Sequence, residues 1–214
     1  MEPSVDQYSS SACDNLGPKE VRISAFDPWV GPAYKEAPSK FLVLGESRYD
    51  EEFTDRRIIE ARICGEFDGG QLRTFVNFER SVLGQEWSEA EARNFWLRTA
   101  FYNYNVNFFP GRARVRLNYQ KREDPQNVVT LRRVVTDLKP SHCIVWGLGN
   151  WESIDAASEW KDGWIPESTE PYCATTIDGH TTLFTRVRHP SCGLSSDYWY
   201  PVLSRFLTLR PQSD

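Results

Sequence analysis

The segment FLVLGESRYD, residues 41–50, joins a short apolar run to a cluster of polar side chains. Consecutive apolar residues at 41–44 are typical of a strand that is buried on both faces, as in a parallel sheet. Gly45 ends the run, and Glu46 and Ser47 follow it directly. The segment therefore predicts a central parallel strand whose carboxyl end carries chemically active groups.

Strand and helix patterns alternate along the rest of the chain. Doubly buried strands are predicted at 142–147 (HCIVWG) and 181–190 (TTLFTRVRHP), and a further strand with its exit loop at 98–109. Apolar residues at helical spacing predict helices at 54–63, 70–83, 127–139 and about 196–209, and Ser88 with Glu91 predicts the capped start of another. This alternation predicts a three-layer α/β/α sandwich around a central, mostly parallel four-stranded sheet.

Composition limits the class of protein. The 214 residues carry a net charge of −5, which argues against a nucleic-acid-binding polycation. Residues 1–20 are rich in Ser, Pro, Gly and acids and predict a mobile tail, followed by one domain at 21–210. We expect a cytoplasmic monomer with reduced thiols and no membrane contact, because there is no long apolar run or signal peptide and five Cys are scattered.

Ligands of open parallel sheets bind beyond the carboxyl ends of the strands. The loops at those ends are GESRYD at 45–50, NYN at 103–105, WGLGNW at 146–151 and HPSCGLS at 189–195. GES begins like the G-x-S-x-G motif of a Ser nucleophile elbow, but the second Gly is missing. GLG matches half of the dinucleotide-binding motif, but the third Gly is missing. Metal-ligand spacing is missing, so no metal or cofactor is expected. A Cys192 nucleophile beside His189 stays open as an alternative.

Taken in chain order, these loops resemble the uracil-DNA glycosylase superfamily. Its members have a first motif written G-Q-D-P-Y-H or G-E-A-P-G, an Asn ending the second strand and a late H-P-S-P-L-S loop. GESRYD, AFYNYN and HPSCGLS stand in the same order, and the resemblance covers about residues 26–209. It implies a DNA-repair hydrolase of base excision that flips a base out of DNA and cleaves its N-glycosidic bond.

The resemblance also implies roles for single residues. His189 would donate a hydrogen bond to the departing base. Asn103, or Asn105 one pleat further, would read the base edge. Tyr49 would block bulky bases, and Gly45 of the same motif would also contact the base.

The late loop is expected to meet the nucleic-acid backbone. Ser191 would grip a phosphate, with Ser195 and Arg188 as further backbone contacts. Leu194 would be the wedge that enters the base stack, although it stands one residue later than in the family pattern.

One position departs from the family in a way that affects catalysis. Many active members carry Asp where this chain has Ser47, and Asp positions the attacking water. Glu46 matches the G-E-A-P-G branch, so the candidate catalytic groups are His189, Ser47 and Glu46. Asp50 and Glu51 are other replacement carboxylates, and Glu46 could instead serve as a helix cap or an ion-pair partner.

A basic segment offers a separate indication of nucleic-acid binding. Residues 112–133 hold seven basic and two acidic residues. Arg112, Arg114 and Arg116 would line a phosphate-binding rim, as would Arg186 and Arg188. The alternative is a solvated face paired with the abundant acids.

Three functions stay open from the sequence. The first is a DNA glycosylase-like hydrolase acting on uracil or another lesion base in single- or double-stranded DNA. The second is a non-catalytic member that binds a base, nucleotide or nucleic acid. The third is a protein-interaction module, which burial of Asn103 in core hydrogen bonds pointing away from His189 would favour.

Overall fold

The computed structural model describes residues 28–47, 54–67, 69–106, 124–156, 164–166 and 172–210. Strands and helices alternate in these ranges, which confirms the predicted mixed α/β class. The strands are β1 (Trp29–Val30), β2 (Phe41–Gly45), β3 (Thr99–Asn103), β4 (His142–Trp146), β5 (Trp164–Pro166), β6 (Tyr172–Ile177) and β7 (His180–Val187). The helices are α1 (Asp55–Cys64), α2 (Gly69–Leu83), α3 (Glu89–Leu97), α4 (Pro125–Leu138), α5 (Leu148–Ala156) and α6 (Ser196–Thr208).

The strands form one mixed sheet in the order β1-β3-β2-β4-β7-β6-β5. Its four central strands, β3, β2, β4 and β7, are parallel, whereas β1, β6 and β5 pair antiparallel at the edges. The predicted sheet of four strands is therefore smaller than the observed sheet, which has seven strands among the described residues. Strand β6 was not predicted, although Asp178 and Gly179 at positive φ form the two-residue turn into β7 and Asp-Gly is a strong hairpin signal.

The helix predictions agree closely with the structure at α1, α2, α4 and α6. Ser88 and Glu91 form the predicted capping box at the start of α3. Strand β3 ends at Asn103, within the segment 98–109 that was predicted to be a strand with its exit loop. Helix α5 begins directly after Gly147, within the segment WGLGNW that was interpreted as a strand-end loop.

Two apolar clusters cover opposite faces of the sheet. Leu42 and Leu44 of β2 belong to the first cluster, which α4 and α5 complete. Val43, between them, belongs to the second cluster, which α1, α2, α3 and α6 complete. This alternation follows from the two-residue period of a strand. The second cluster is rich in aromatic rings, with Trp146 in contact with Phe78 and Phe101.

The cysteines differ from the expectation that all are reduced. Cys143 and Cys173 are free and buried, and Cys192 is free and exposed, but Cys64 is disulfide-bonded. The predicted tail at 1–20 lies outside the described residues. Within the described part, no helix is both long and apolar enough to cross a membrane.

Candidate functional site

The carboxyl ends of the four parallel strands lie at one edge of the sheet. The register places Gly45 of β2 beside Asn103 of β3, and Trp146 of β4 beside Val187 of β7. From β2 the chain passes to β3 on one side and then to β4 on the other. This reversal is the switch point at which ligands of such sheets bind, and the predicted residue His189 lies two positions beyond β7.

Two contacts with Ser191 determine which nitrogen of His189 carries the proton. The backbone N–H of Ser191 donates to Nδ1 at 3.3 Å, and the Ser191 hydroxyl lies 2.8 Å from the same atom. A backbone N–H can only donate, so Nδ1 is the unprotonated acceptor. The neutral ring then has its proton on Nε2. His189 therefore offers an N–H donor from the side of the ring that faces away from Ser191.

The surroundings of His189 favour the neutral ring. Burial lowers the pKa of His189, and the negative charge of Glu46 opposes that shift. The imidazole lies against Trp146 in an edge-to-face contact, with 5.9 Å between ring centroids. The structure thus brings together two predicted residues, His189 and Glu46, at the ends of β7 and β2.

Asn103 is buried and held by a carboxylate that the sequence analysis did not single out. Asp55 accepts from the Asn103 backbone N–H at 2.9 Å and from its side-chain Nδ2 at 2.6 Å. Burial in core hydrogen bonds is what the interaction-module alternative predicts. However, Asn103 lies on the same sheet face as His189. Phe101, two residues before Asn103 on β3, and Trp146, which contacts the His189 ring, both belong to the second cluster.

The other candidate amide, Asn105, anchors the loop after β2. Its Nδ2 donates to the backbone oxygen of Glu46 at 2.6 Å, and its backbone N–H donates to the same oxygen at 3.1 Å. Its side-chain oxygen accepts from Asn127 of α4 at 3.3 Å. Asn105 therefore fixes the position of Glu46, and its own amide is engaged on both sides.

Asn150 of α5 is a further polar residue at this edge that sequence reasoning missed. Its Nδ2 donates to the backbone oxygens of Trp146 at 3.0 Å and Gly45 at 3.4 Å, so it ties β4 to β2 at the switch point. Among the described residues, neither the Asn150 side-chain oxygen nor the Ser47 hydroxyl has a hydrogen-bond partner, and both atoms are buried. No sequence signal singles out this residue, because an Asn inside a helix is an ordinary local feature.

The late loop places its predicted wedge residue in the core and its predicted backbone-contact residues at the surface. The exposed Ser191 hydroxyl bonds His189 and lies 3.4 Å from the Cys192 sulfur. Cys192 thus contacts Ser191, and no hydrogen bond joins it to the imidazole in the described part of the chain. Leu194 is 9% exposed within the second cluster, so the expectation of a wedge that enters a base stack is wrong. Arg188 and Ser195 are exposed.

The remaining predicted residues fall into two groups. Arg186 lies over the ring of Trp151, with its guanidinium 5.6 Å from the ring centroid. The others lie outside the described residues: Tyr49, Asp50, Glu51, Arg112, Arg114 and Arg116.

Within the described ranges, no group of three or more His, Cys, Asp or Glu side chains is placed to hold a metal ion. A comparison with protein-family models finds no match, and a comparison with curated proteins finds none either. The geometry at the carboxyl edge therefore carries the functional conclusion.

Proposed function

We propose that the carboxyl edge binds a flipped nucleobase and that the protein is a DNA glycosylase-like hydrolase of uracil or another lesion base. The observation that carries this proposal is the Nε2–H donor of His189 at the same sheet edge as Asn103. It agrees with the resemblance of the strand-end loops to the uracil-DNA glycosylase superfamily. The proposal assumes a three-layer α/β/α scaffold, with helices covering both faces of the sheet.

The span of the edge suits a single planar ring. Asn103 ends β3, and His189 follows β7, three strand spacings away. At about 4.8 Å per spacing, the two backbones lie roughly 14 Å apart. The two side chains extend from these strands on one face, so a base between them would meet Asn103 at one edge and His189 at the other.

His189 would act on the leaving base. When the N-glycosidic bond breaks, the base keeps the electron pair, and negative charge develops on its carbonyl oxygen. A preoriented N–H donor stabilises this charge more in a partly dry site than in water. Ser191 holds the ring so that Nε2–H is available before the base arrives.

Glu46 and Ser47 would act on the sugar and the attacking water. The negative charge of Glu46 already acts on His189 and would stabilise the positive charge that develops on the sugar. The buried hydroxyl of Ser47 would hold a water molecule. The water oxygen bonds to the sugar carbon, one of its protons goes to the departing base, and no cofactor is consumed. Arg188 and Ser195 would contact DNA phosphates.

The second candidate function is binding of a nucleobase or nucleotide without cleavage. Ser47 is the observation that favours it, because a hydroxyl carries no negative charge and the Ser47 oxygen is buried. The interaction-module alternative gains from the burial of Asn103. It does not account for the orientation of His189 by Ser191.

A cleavage assay on uracil, hypoxanthine and xanthine oligonucleotides, single- and double-stranded, tests the proposal. We expect His189→Ala to slow cleavage about 100- to 1000-fold and Ser47→Ala to slow it less, whereas Ser47→Asp should raise activity on uracil. His180→Ala is the matched control. His180 begins β7, at the opposite end of the strand from this edge, and its Nε2 contacts the backbone oxygen of Pro140. Calorimetric binding of uracil without cleavage would establish the second function. If the protein shows no binding and no cleavage, both candidate functions are contradicted.

A further inference from the structure

Asp55 uses both of its carboxylate oxygens on the two donors of Asn103. Oδ2 accepts the backbone N–H at 2.9 Å, and Oδ1 accepts the side-chain Nδ2 at 2.6 Å. Both residues are buried, with 2% of Asp55 and 5% of Asn103 exposed. A carboxylate has no hydrogen to donate, so the amide of Asn103 must turn its NH₂ group toward Asp55.

The same contact places the Asn103 side-chain oxygen beside β2. Gly45 is its neighbour in the sheet register, and a Cβ at Gly45 would come within 2.4 Å of that oxygen. The absence of a side chain at Gly45 therefore leaves room for the amide of Asn103, and Asp55 selects the orientation of that amide. Rotation of the amide by 180° would put its oxygen against the carboxylate, where two acceptors repel each other.

We infer that Asp55 is a positioning residue that makes Asn103 present a hydrogen-bond acceptor to the ligand. This inference rests on the proposed function, in which Asn103 meets one edge of the base. The ligand edge at Asn103 must then carry an N–H donor, and the opposite edge must carry an acceptor for Nε2–H of His189. The site selects an imide or amino heterocycle and disfavours one whose ring nitrogen is alkylated.

If Asp55 only linked α1 to β3, the contacts would be the same, but Asp55 would have no effect on which ligands the site prefers. Asp55→Asn separates the two roles because it keeps the size and shape of the side chain. Its oxygen must still face the fixed backbone N–H of Asn103, so its NH₂ faces the Asn103 side chain. The Asn103 amide then turns over, and its NH₂ replaces its oxygen beside Gly45.

Calorimetric titration with uracil and with 3-methyluracil measures this selectivity. The two ligands differ in the ring N–H donor, which the methyl group replaces. We expect the wild type to bind uracil at least about tenfold tighter, the equivalent of one hydrogen bond. In Asp55→Asn the ratio should fall to about twofold or less, while the steric effect of the methyl group is unchanged.

Asp137→Asn, an acid-to-amide change on the exposed face of α4, is the control and should keep the wild-type ratio. An unchanged ratio in folded Asp55→Asn would overturn the positioning role. If that variant does not fold, the wild-type arm still decides, since equal binding of the two ligands overturns the selectivity. If the wild type binds neither uracil nor 3-methyluracil, the proposed function and this inference are both overturned. If it binds both equally, only this inference is overturned, so the two failures can be told apart.

Discussion

Arg62 and Glu79 form a two-pronged ion pair that is buried between α1 and α2. Nε and Nη2 of Arg62 each lie 2.8 Å from one Glu79 oxygen, and 5% of the Arg62 and none of the Glu79 side chain is exposed. Glu79 also accepts from the Trp96 indole at 2.7 Å, and Arg62 reaches Glu89 at 2.9 Å. The pair therefore joins three helices on the face of the sheet that carries His189.

Removal of one charge from this pair should strongly destabilise the fold. We expect Glu79→Gln to lower the free energy of unfolding by about 3–5 kcal/mol, because it leaves the Arg62 charge buried without its main partner. The control is Glu66→Gln, which breaks the exposed pair with Arg57 and should cost under about 1 kcal/mol. Urea unfolding measures both, and equal effects would contradict the assignment of Glu79 as the structural partner.

A side chain at Gly45 should disturb both the fold and ligand binding. The added methyl of Gly45→Ala would meet the Asn103 oxygen at 2.4 Å and the Phe101 ring at 2.8 Å. We expect a loss of about 1–3 kcal/mol in unfolding free energy, together with weaker uracil binding. Gly179→Ala is the control for a glycine-to-alanine change that meets no neighbouring atom, since Gly179 has φ 73° but open space around it. That control should lose about 1 kcal/mol and leave binding intact.

The buried His142 should make the fold sensitive to acid. Burial lowers the pKa of His142 to about 4, against an ordinary value of 6.5. Between pH 6.5 and 4 the unfolded chain takes up a proton that the folded protein refuses, so the unfolding free energy falls as pH falls. The full effect is about 3 kcal/mol, and above pH 7 it is absent.

His142→Leu should remove this contribution. The slope of unfolding free energy against pH between 5 and 6 should fall by about one proton relative to the wild type. Comparison of the two slopes cancels the carboxylates that titrate in the same range. Identical slopes would show that His142 does not titrate on unfolding.

The protonation of His189 is directly measurable by ¹⁵N NMR of the imidazole nitrogens. We expect a neutral ring at pH 7 with its proton on Nε2, because Nδ1 accepts from the Ser191 backbone and burial lowers the pKa of His189. Glu46→Gln should lower the titration midpoint further, since the Glu46 charge is what raises it. A proton on Nδ1 would remove the basis for the leaving-group role.

Sequence periodicity located most of the fold that surrounds the site. The apolar run at 41–44 and the run at 142–146 are strands because both faces of a central parallel strand are buried. The helix predictions were good where an apolar stripe repeats, as in 127–138. Edge strands β1 and β5 were missed because they are two and three residues long, too short for any period.

The candidate site shows the same division. Glu46, Asn103 and His189 were predictable because polar residues that directly follow buried parallel strands must lie at one edge of the sheet. Asp55 and Asn150 were not predictable, because an acid in the first turn of a helix and an Asn inside a helix are ordinary local features. Their partners are distant along the chain: Asp55 holds a residue 48 positions away, and Asn150 reaches one 105 positions away.

By itself, the sequence determined the mixed α/β class, the central strands and which loops carry polar groups at their ends. These properties depend on local hydrophobic spacing, which a chain shows without being folded. Only the tertiary structure decided the strand order, the burial of Leu194 and the hold of Asp55 on Asn103. Each of these depends on which distant segments pack together, because apolar contacts and hydrogen bonds between residues far apart in the sequence form only when the folded chain brings their atoms within contact distance.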